Sequence, residues 1–277
     1  VDRQLDLAIA TFAPNAQTVW DKELHTAVGL ANYIPSPRGR PTPDRNPLGR
    51  RHWITVCHMC RSVERSAGAN GSTHCLECGA GGSDFQSIDL AEPSGFRSSY
   101  KYPPDDYDGE YTRGQGSSTP RIRPDVNQLH PTSIGNAVAH SGPSDMYFIN
   151  DNNGDMYRFA PETDRKSWID VDVWEEDQSS GHLNLPMIDK SATEEVALGM
   201  IKKTDAFLLG PEDHQDGLNL LPFDPGRRGA WFSFGFLLRK VACQQLDIDV
   251  EELQVGYSVR QVDDRPRVEA FLSDQLE

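Results

Sequence analysis

The spacing of apolar and polar positions changes character several times along the chain. Residues 1–34 read as β-rich: Leu5 to Phe12, then Thr18-Val19-Trp20, a turn at Asp21-Lys22, and Leu24 to Leu30. From 35 to 51 prolines (Pro35, Pro37, Pro41, Pro43, Pro47) alternate with Gly39, Gly49 and arginines, a pattern that predicts an extended surface loop. His52 to Val56 follows as a strand. A second loop is expected over 101–125, where Pro103-Pro104-Asp105-Asp106 and Gly114-Gln115-Gly116-Ser117-Ser118 offer nothing for a packed core.

Beyond it, Met146 to Ile149 and Met156 to Phe159 flank Asn150-Asp151-Asn152-Asn153-Gly154, which predicts a β-hairpin. Residues 162–182 are acidic and expected to be solvated, with Trp168 and Trp174 packing part of the stretch. Asp205 to Leu209 reads as a strand. Ala230, Trp231, Phe234, Leu237, Leu238, Val241, Ala242 and Leu246 recur at helical spacing, predicting a core-facing helix of about 17 residues, or ~25 Å. Asp249-Val250-Glu251-Glu252 resembles a capping box, and Val255 to Val262 and Val268 to Ser273 read as closing strands. No internal repeat is visible.

The expectation is therefore an α+β, strand-rich fold with an inserted four-cysteine zinc ribbon and one long C-terminal amphipathic helix. Its segments would be a β-rich part with the Arg/Pro loop (1–51), the ribbon (52–100), a flexible loop (101–125) and an α+β domain (126–277). The first residue is Val rather than Met, and Phe271-Leu272 reads as mid-strand, so a piece of a longer polypeptide is expected.

Charge narrows the function. In 277 residues, 27 Lys and Arg stand against 42 Asp and Glu, a formal net charge of −15. A uniformly basic nucleic-acid coat protein is excluded, although a local basic patch is not. No apolar run approaches the ~20 residues of a membrane span. The 23 glycines and 19 prolines favour many short elements over a helical bundle.

Four of the five cysteines form two C-x-x-C pairs, Cys57-His58-Met59-Cys60 and Cys75-Leu76-Glu77-Cys78-Gly79. Each pair puts two thiolates on one tight knuckle, and two knuckles close a tetrahedron around zinc. The small, polar stretch from Ser66 to Ser72 suits the connector. A disulfide pair would need an oxidising compartment, and a thioredoxin-type site would use one such motif on a βαβ unit. A catalytic zinc would keep a position open for water, which four matched thiolates do not. Structural zinc bound by Cys57, Cys60, Cys75 and Cys78 is the reading. His58 and His74 are expected to be solvated neighbours, and Cys243 a buried apolar filler.

Other chemistry is sparse. No phosphate-cradling Walker loop and no Gly-x-Ser-x-Gly elbow occurs, so no ATPase activity is expected of this chain itself. Asp170 with Asp172, and Asp247 with Asp249, are carboxylate pairs that a metal-dependent nuclease would need; solvated faces or helix caps are the plainer reading. Arg38, Arg40, Arg45, Arg50 and Arg51 face only Asp44, a local +4 on an acidic chain. Arg50 and Arg51, with Trp53 to stack on a base and Arg38 and Arg40 behind them, are the nucleic-acid-binding candidates. Internal pairing with the acidic remainder is the alternative.

Several strings resemble one family when taken in order: Leu7-Ala8-Ile9 through Phe12-Ala13-Pro14, Gly29-Leu30, the paired C-x-x-C, Glu92-Pro93-Ser94-Gly95-Phe96-Arg97, Ile149 to Gly154, Lys203-Thr204-Asp205, Ala230 to Arg239, and Leu246 to Asp249. Together they are similar to the helicase-associated, MrfA-like zinc-binding domain family, which includes DISARM proteins of the DrmB type and C-terminal regions of Druantia-type helicases. Asn15 and His25 depart from its usual Gly and aromatic residue. The resemblance implies a non-catalytic, cytoplasmic zinc module. It would work on DNA with a superfamily 2 helicase, fused or as a separate subunit, in bacterial anti-phage defence. The rivals are a metal-dependent nuclease and an interaction scaffold that never touches nucleic acid.

Overall fold

The computed structural model describes residues 3–34, 39, 42–69, 71–98, 105–112, 114, 120–164, 167–182, 184–212, 220–262 and 264–275. It resolves into two compact units that interleave along the chain rather than following one another. Unit 1 combines residues 1–52, 89–118 and 149–200; unit 2 combines 53–88, 119–148 and 201–277. The two cysteine pairs thus share a unit with the last third of the chain.

Unit 1 has a helix, α1 (Leu5–Thr11), where the sequence pattern predicts a strand. Leu5, Ala8, Ile9 and Phe12 stand at i, i+3, i+4 and i+7, a helical stripe too short to be told from a strand by apolar content alone. Next come Gln17–Trp20 and Glu23–Leu30, paired antiparallel with Trp20 opposite Glu23. Their turn, Asp21-Lys22, has both residues at positive φ (51° and 67°), the geometry that matches strand twist in two-residue hairpins. Phe96–Ser98 and Trp168–Asp170 also pair with Glu23–Leu30. Gly29 is required there, because a Cβ would lie 2.1 Å from the carbonyl oxygen of Trp168.

The expected hairpin around Asn150 does not form. Tyr157–Pro161 pairs instead with Trp168–Asp170 and, through Tyr157 and Phe159, with Val196 and Glu194. Asn150 is buried and is the reason: its Nδ2 donates to the Ile9 carbonyl at 2.7 Å, and its Oδ1 accepts from the Tyr157 hydroxyl at 3.1 Å. The intervening residues then wrap as a turn, with Asn152, Asn153 and Met156 at positive φ. The acidic stretch after 162 is also more ordered than expected. It contains α2 (Val171–Ser179), whose Val173 packs on Val28 and Ile169 with Trp174 alongside.

Unit 2 is built on the antiparallel strands Leu253–Val262 and Arg265–Asp274, paired over their whole length. Residues 206–209 extend this sheet, Ala206 opposite Ser273 and Leu209 opposite Ala270. Arg121–Pro124 and His130–Ile134 pair in turn with residues 137–147. Glu269, wholly buried, is held by two of the three guanidinium nitrogens of Arg260 (2.6 and 3.0 Å) and by His140 at 2.8 Å. Burial holds the His140 imidazole below its usual pKa, against the pull of Glu269.

The long helix is present as α3 (Pro225–Leu246), capped by Asp224, but most of its expected apolar stripe, Trp231 apart, does not face the core. Gly235 and Cys243 are its buried residues, and a Cβ on Gly235 would come within 2.7 Å of Val255 Cγ2. The missing side chain lets the helix backbone settle on the strand pair along that face. Phe234, Leu237 and Val241 consequently point outward, Leu237 being 58% exposed. Cys243 is buried as expected.

Candidate metal centre

Cys57 ends the strand Arg50–Cys57, and the chain turns back into Val63–Arg65. The turn is closed by the Cys57 N–H donating to the Ser62 carbonyl at 3.0 Å. The second knuckle repeats this geometry: the Cys75 N–H donates to the Ala80 carbonyl at 2.8 Å. In both, the residue after the second cysteine is left-handed, Arg61 at φ 64° and Gly79 at φ 74°. Glycine fits that conformation without strain; Arg61 needs another reason to be there.

The four sulfurs converge. Cys57 and Cys78 Sγ are 3.7 Å apart, Cys60 and Cys75 Sγ 3.5 Å, and all four lie within 4.8 Å of one another. Disulfide sulfurs would stand at about 2.05 Å, so these thiols are not bridged. Sulfurs at ~2.3 Å from a common centre in a tetrahedron are about 3.8 Å apart, which this spacing matches. The four cysteines can hold a metal ion, and the donor set fits zinc. His74 bonds to Thr73 at 2.8 Å and stays outside the sulfur cluster, as expected.

Hydrogen bonding with Cys57 and Cys75, together with burial, pushes the Cys60 thiol far up, whereas bonds from Cys57 and Cys60 hold Cys75 well down. Burial pushes Cys78 up to about 12. Four negative charges in this space are untenable alone, and a divalent ion removes that barrier. Backbone N–H groups of Glu77 and Ala80 already point at Cys75 and Cys78, as thiolates require.

The cage is not an isolated ribbon. Cys57, Cys60 and Cys75 share a core with Tyr257, Val259 and Val268 of the main strand pair, and Phe232 and Trp231 of α3 pack on it. Glu77, inside the second knuckle, pairs with Arg123 and accepts the Gln261 N–H, while Gln261 Nε2 donates to the Glu77 carbonyl at 2.9 Å. The buried Arg121 donates to the Cys57 carbonyl at 2.7 Å. Arg61 lies over the rings of Phe232 (5.5 Å) and Tyr257 (5.8 Å), which accounts for its left-handed backbone. None of Glu77, Arg61, Arg121 or Arg123 was picked out from sequence. A charged residue inside or next to a C-x-x-C was the available signal for the first two.

Of the nucleic-acid candidates, Arg50, Arg51 and Trp53 lie on one strand, Arg50–Cys57. Arg38 and Arg40 lie outside the described residues. Arg50 is exposed at the start of its strand in unit 1. Arg51 is engaged by Asp89 and Glu194, and these carboxylates hold its guanidinium above its usual pKa although burial opposes them. Trp53, half-buried, belongs to unit 2.

The acidic pairs end helices. Asp170 caps α2 by accepting the N–H groups of Asp172 and Val173, and Asp172 pairs with Arg158. Asp247 is the left-handed C-cap of α3, and Asp249 forms the expected capping box with Glu252. Among the described residues, the four cysteines are the one group placed to hold a metal.

No family model matches the chain, and no curated protein does either. A search of solved structures finds the crystal structure of the DUF1998 helicase MrfA bound to DNA, at 7% identity and a TM-score of 0.31. That match covers 83% of this chain and 26% of the helicase, so the chain spans about a quarter of that protein; likeness at this level carries no argument about fold or function. No helix among the described residues is long and apolar enough to cross a membrane.

Proposed function

We propose that this chain is a structural-zinc module acting with a superfamily 2 DNA helicase, fused or as a separate subunit, in cytoplasmic anti-phage defence. The observation that carries the zinc is the closed cage of four thiols, whose knuckles are bolted to the main strand pair through Glu77–Gln261 and Arg61–Tyr257. A site built this way holds a fold together and leaves no ligand position for substrate. The helicase and its setting rest on the ordered strings that resemble the MrfA-like zinc-binding family. The chain is read as having no nuclease or ATPase turnover of its own, since its acidic pairs are spent on helix ends.

Metal analysis together with affinity purification from the native host is the test. About one zinc per chain and a co-purifying helicase are expected. A metal-free chain, or one that purifies with no helicase, defeats the reading. The scaffold alternative is favoured by the internal pairing of Arg51, and DNA affinity that ignores salt would put it first.

A further inference from the structure

The cysteine cage lies among arginines. Arg61 follows Cys60 directly and lays its guanidinium over Phe232 and Tyr257, two rings of the core that the cysteines share. Arg121, itself buried, donates to the Cys57 carbonyl at 2.7 Å. Arg228, in the first turn of α3, has a buried Nε with no hydrogen-bond partner among the described residues. The three charges meet at one place. Burial pushes the Tyr257 hydroxyl up, Arg61, Arg228 and Arg121 pull it down, and Cys60 adds a smaller push upward. The same crowding acts on Arg61, which burial and Arg228 hold below its usual pKa against the pull of Tyr257.

Like charges gathered out of solvent cost free energy unless an opposite charge lies among them. Zinc cancels two of four thiolate charges, so the loaded cage is a dianion buried in this same core. Each side of the arrangement removes the other's cost. Arg123 adds nothing to the balance, since the carboxylates of Glu77 and Glu64 match it.

We propose that Arg61, Arg121 and Arg228 are the counter-charges of the zinc tetrathiolate, raising its affinity for the metal and shielding its sulfurs from electrophiles. The inference rests on the zinc reading above. Empty thiols that keep their protons carry less charge than the loaded cage, so nearby cations favour the loaded form. A cation beside a thiolate also lowers its basicity, and nucleophilicity falls with it. Ring stacking by Arg61 would need the planar guanidinium, whereas a counter-charge needs only the charge.

The test measures, on the whole chain, zinc affinity by competition with a chromophoric chelator and the rate at which iodoacetamide releases zinc. In that alkylation each S–C bond forms as iodide leaves. Arg61→Gln and Arg121→Gln are each expected to weaken zinc about tenfold, as loss of an outer-shell partner does, and to speed its release. Arg61→Lys should stay near the wild type in both. Arg228→Gln leaves the backbone bonds of the knuckles in place and should shift both readouts the same way, which keeps the test open if the other variants do not fold. Cobalt put in place of zinc should give one tetrathiolate spectrum in every variant. A wild type that takes up no zinc overturns the zinc reading and this inference with it. Zinc uptake with affinity and release unchanged in folded Gln variants, Arg61→Lys as impaired as Arg61→Gln, or an altered cobalt spectrum overturns this inference alone.

Discussion

Arg51 grips Asp89 side-on, its Nε 3.2 Å from one carboxylate oxygen and a terminal nitrogen on the other. Two coplanar bonds of this kind fix both side chains, and Glu194 takes a further nitrogen of the same guanidinium. An arginine so held has little left to offer a phosphate, although its neighbour Arg50 is exposed.

The two arginines should therefore separate in a DNA assay of the helicase-bound complex. Arg50→Ala is expected to lower the salt slope of binding by about one, the signature of a single lost phosphate contact. Arg51→Ala should leave the slope alone and lower the melting temperature of the chain. Equal slope losses for both would place Arg51 on DNA as well.

Zinc should be removable with consequences for all of unit 2, because the cage shares its core with Tyr257, Val259 and α3. Cys57→Ser is expected to abolish the metal and to lower thermal stability, and chelator should do the same to the wild type. Acidification should release the ion, since protons compete for the thiolates. A Cys57→Ser protein that melts like the wild type contradicts a structural role.

Glu269 is wholly buried between Arg260 and His140. Glu269→Ala would strand the Arg260 charge beneath the surface, and a loss of about 3–5 kcal/mol in denaturant unfolding is expected. Paired replacement of Arg260 and Glu269 by apolar residues should cost less than Glu269→Ala alone. If the double change costs more, the pair is not an isolated charge couple.

Asp170 offers a pH test in unit 1. Burial lifts its carboxyl to about 6 from the ordinary 3.8, despite the two backbone N–H groups it caps. The folded chain thus holds a proton that the unfolded chain has already released between about pH 4 and 6. Stability should fall as pH rises through that window, by up to about 3 kcal/mol for a shift of about two units. Asp170→Asn keeps a capping oxygen and should flatten that part of the curve; an unchanged profile would clear Asp170 of the effect.

The sequence by itself determined the chemistry that depends on local spacing. Two C-x-x-C pairs announce four convergent thiols because each knuckle is a single tight turn. Asp21-Lys22 announces its hairpin, and Asp249 with Glu252 its capping box, for the same short-range reason. Tertiary structure decided what faces what. Helix α3 was legible from its apolar spacing, but Gly235 chose the buried side, since only there could the backbone approach Val255. Asn150 looked like the first residue of a hairpin turn and is instead a buried anchor to Ile9, a contact spanning most of unit 1 in sequence. Arg51 looked like a free cation until Asp89 and Glu194 came to it from distant segments. Each of these outcomes depends on a partner far along the chain, and periodicity within one segment carries no record of which partner arrives.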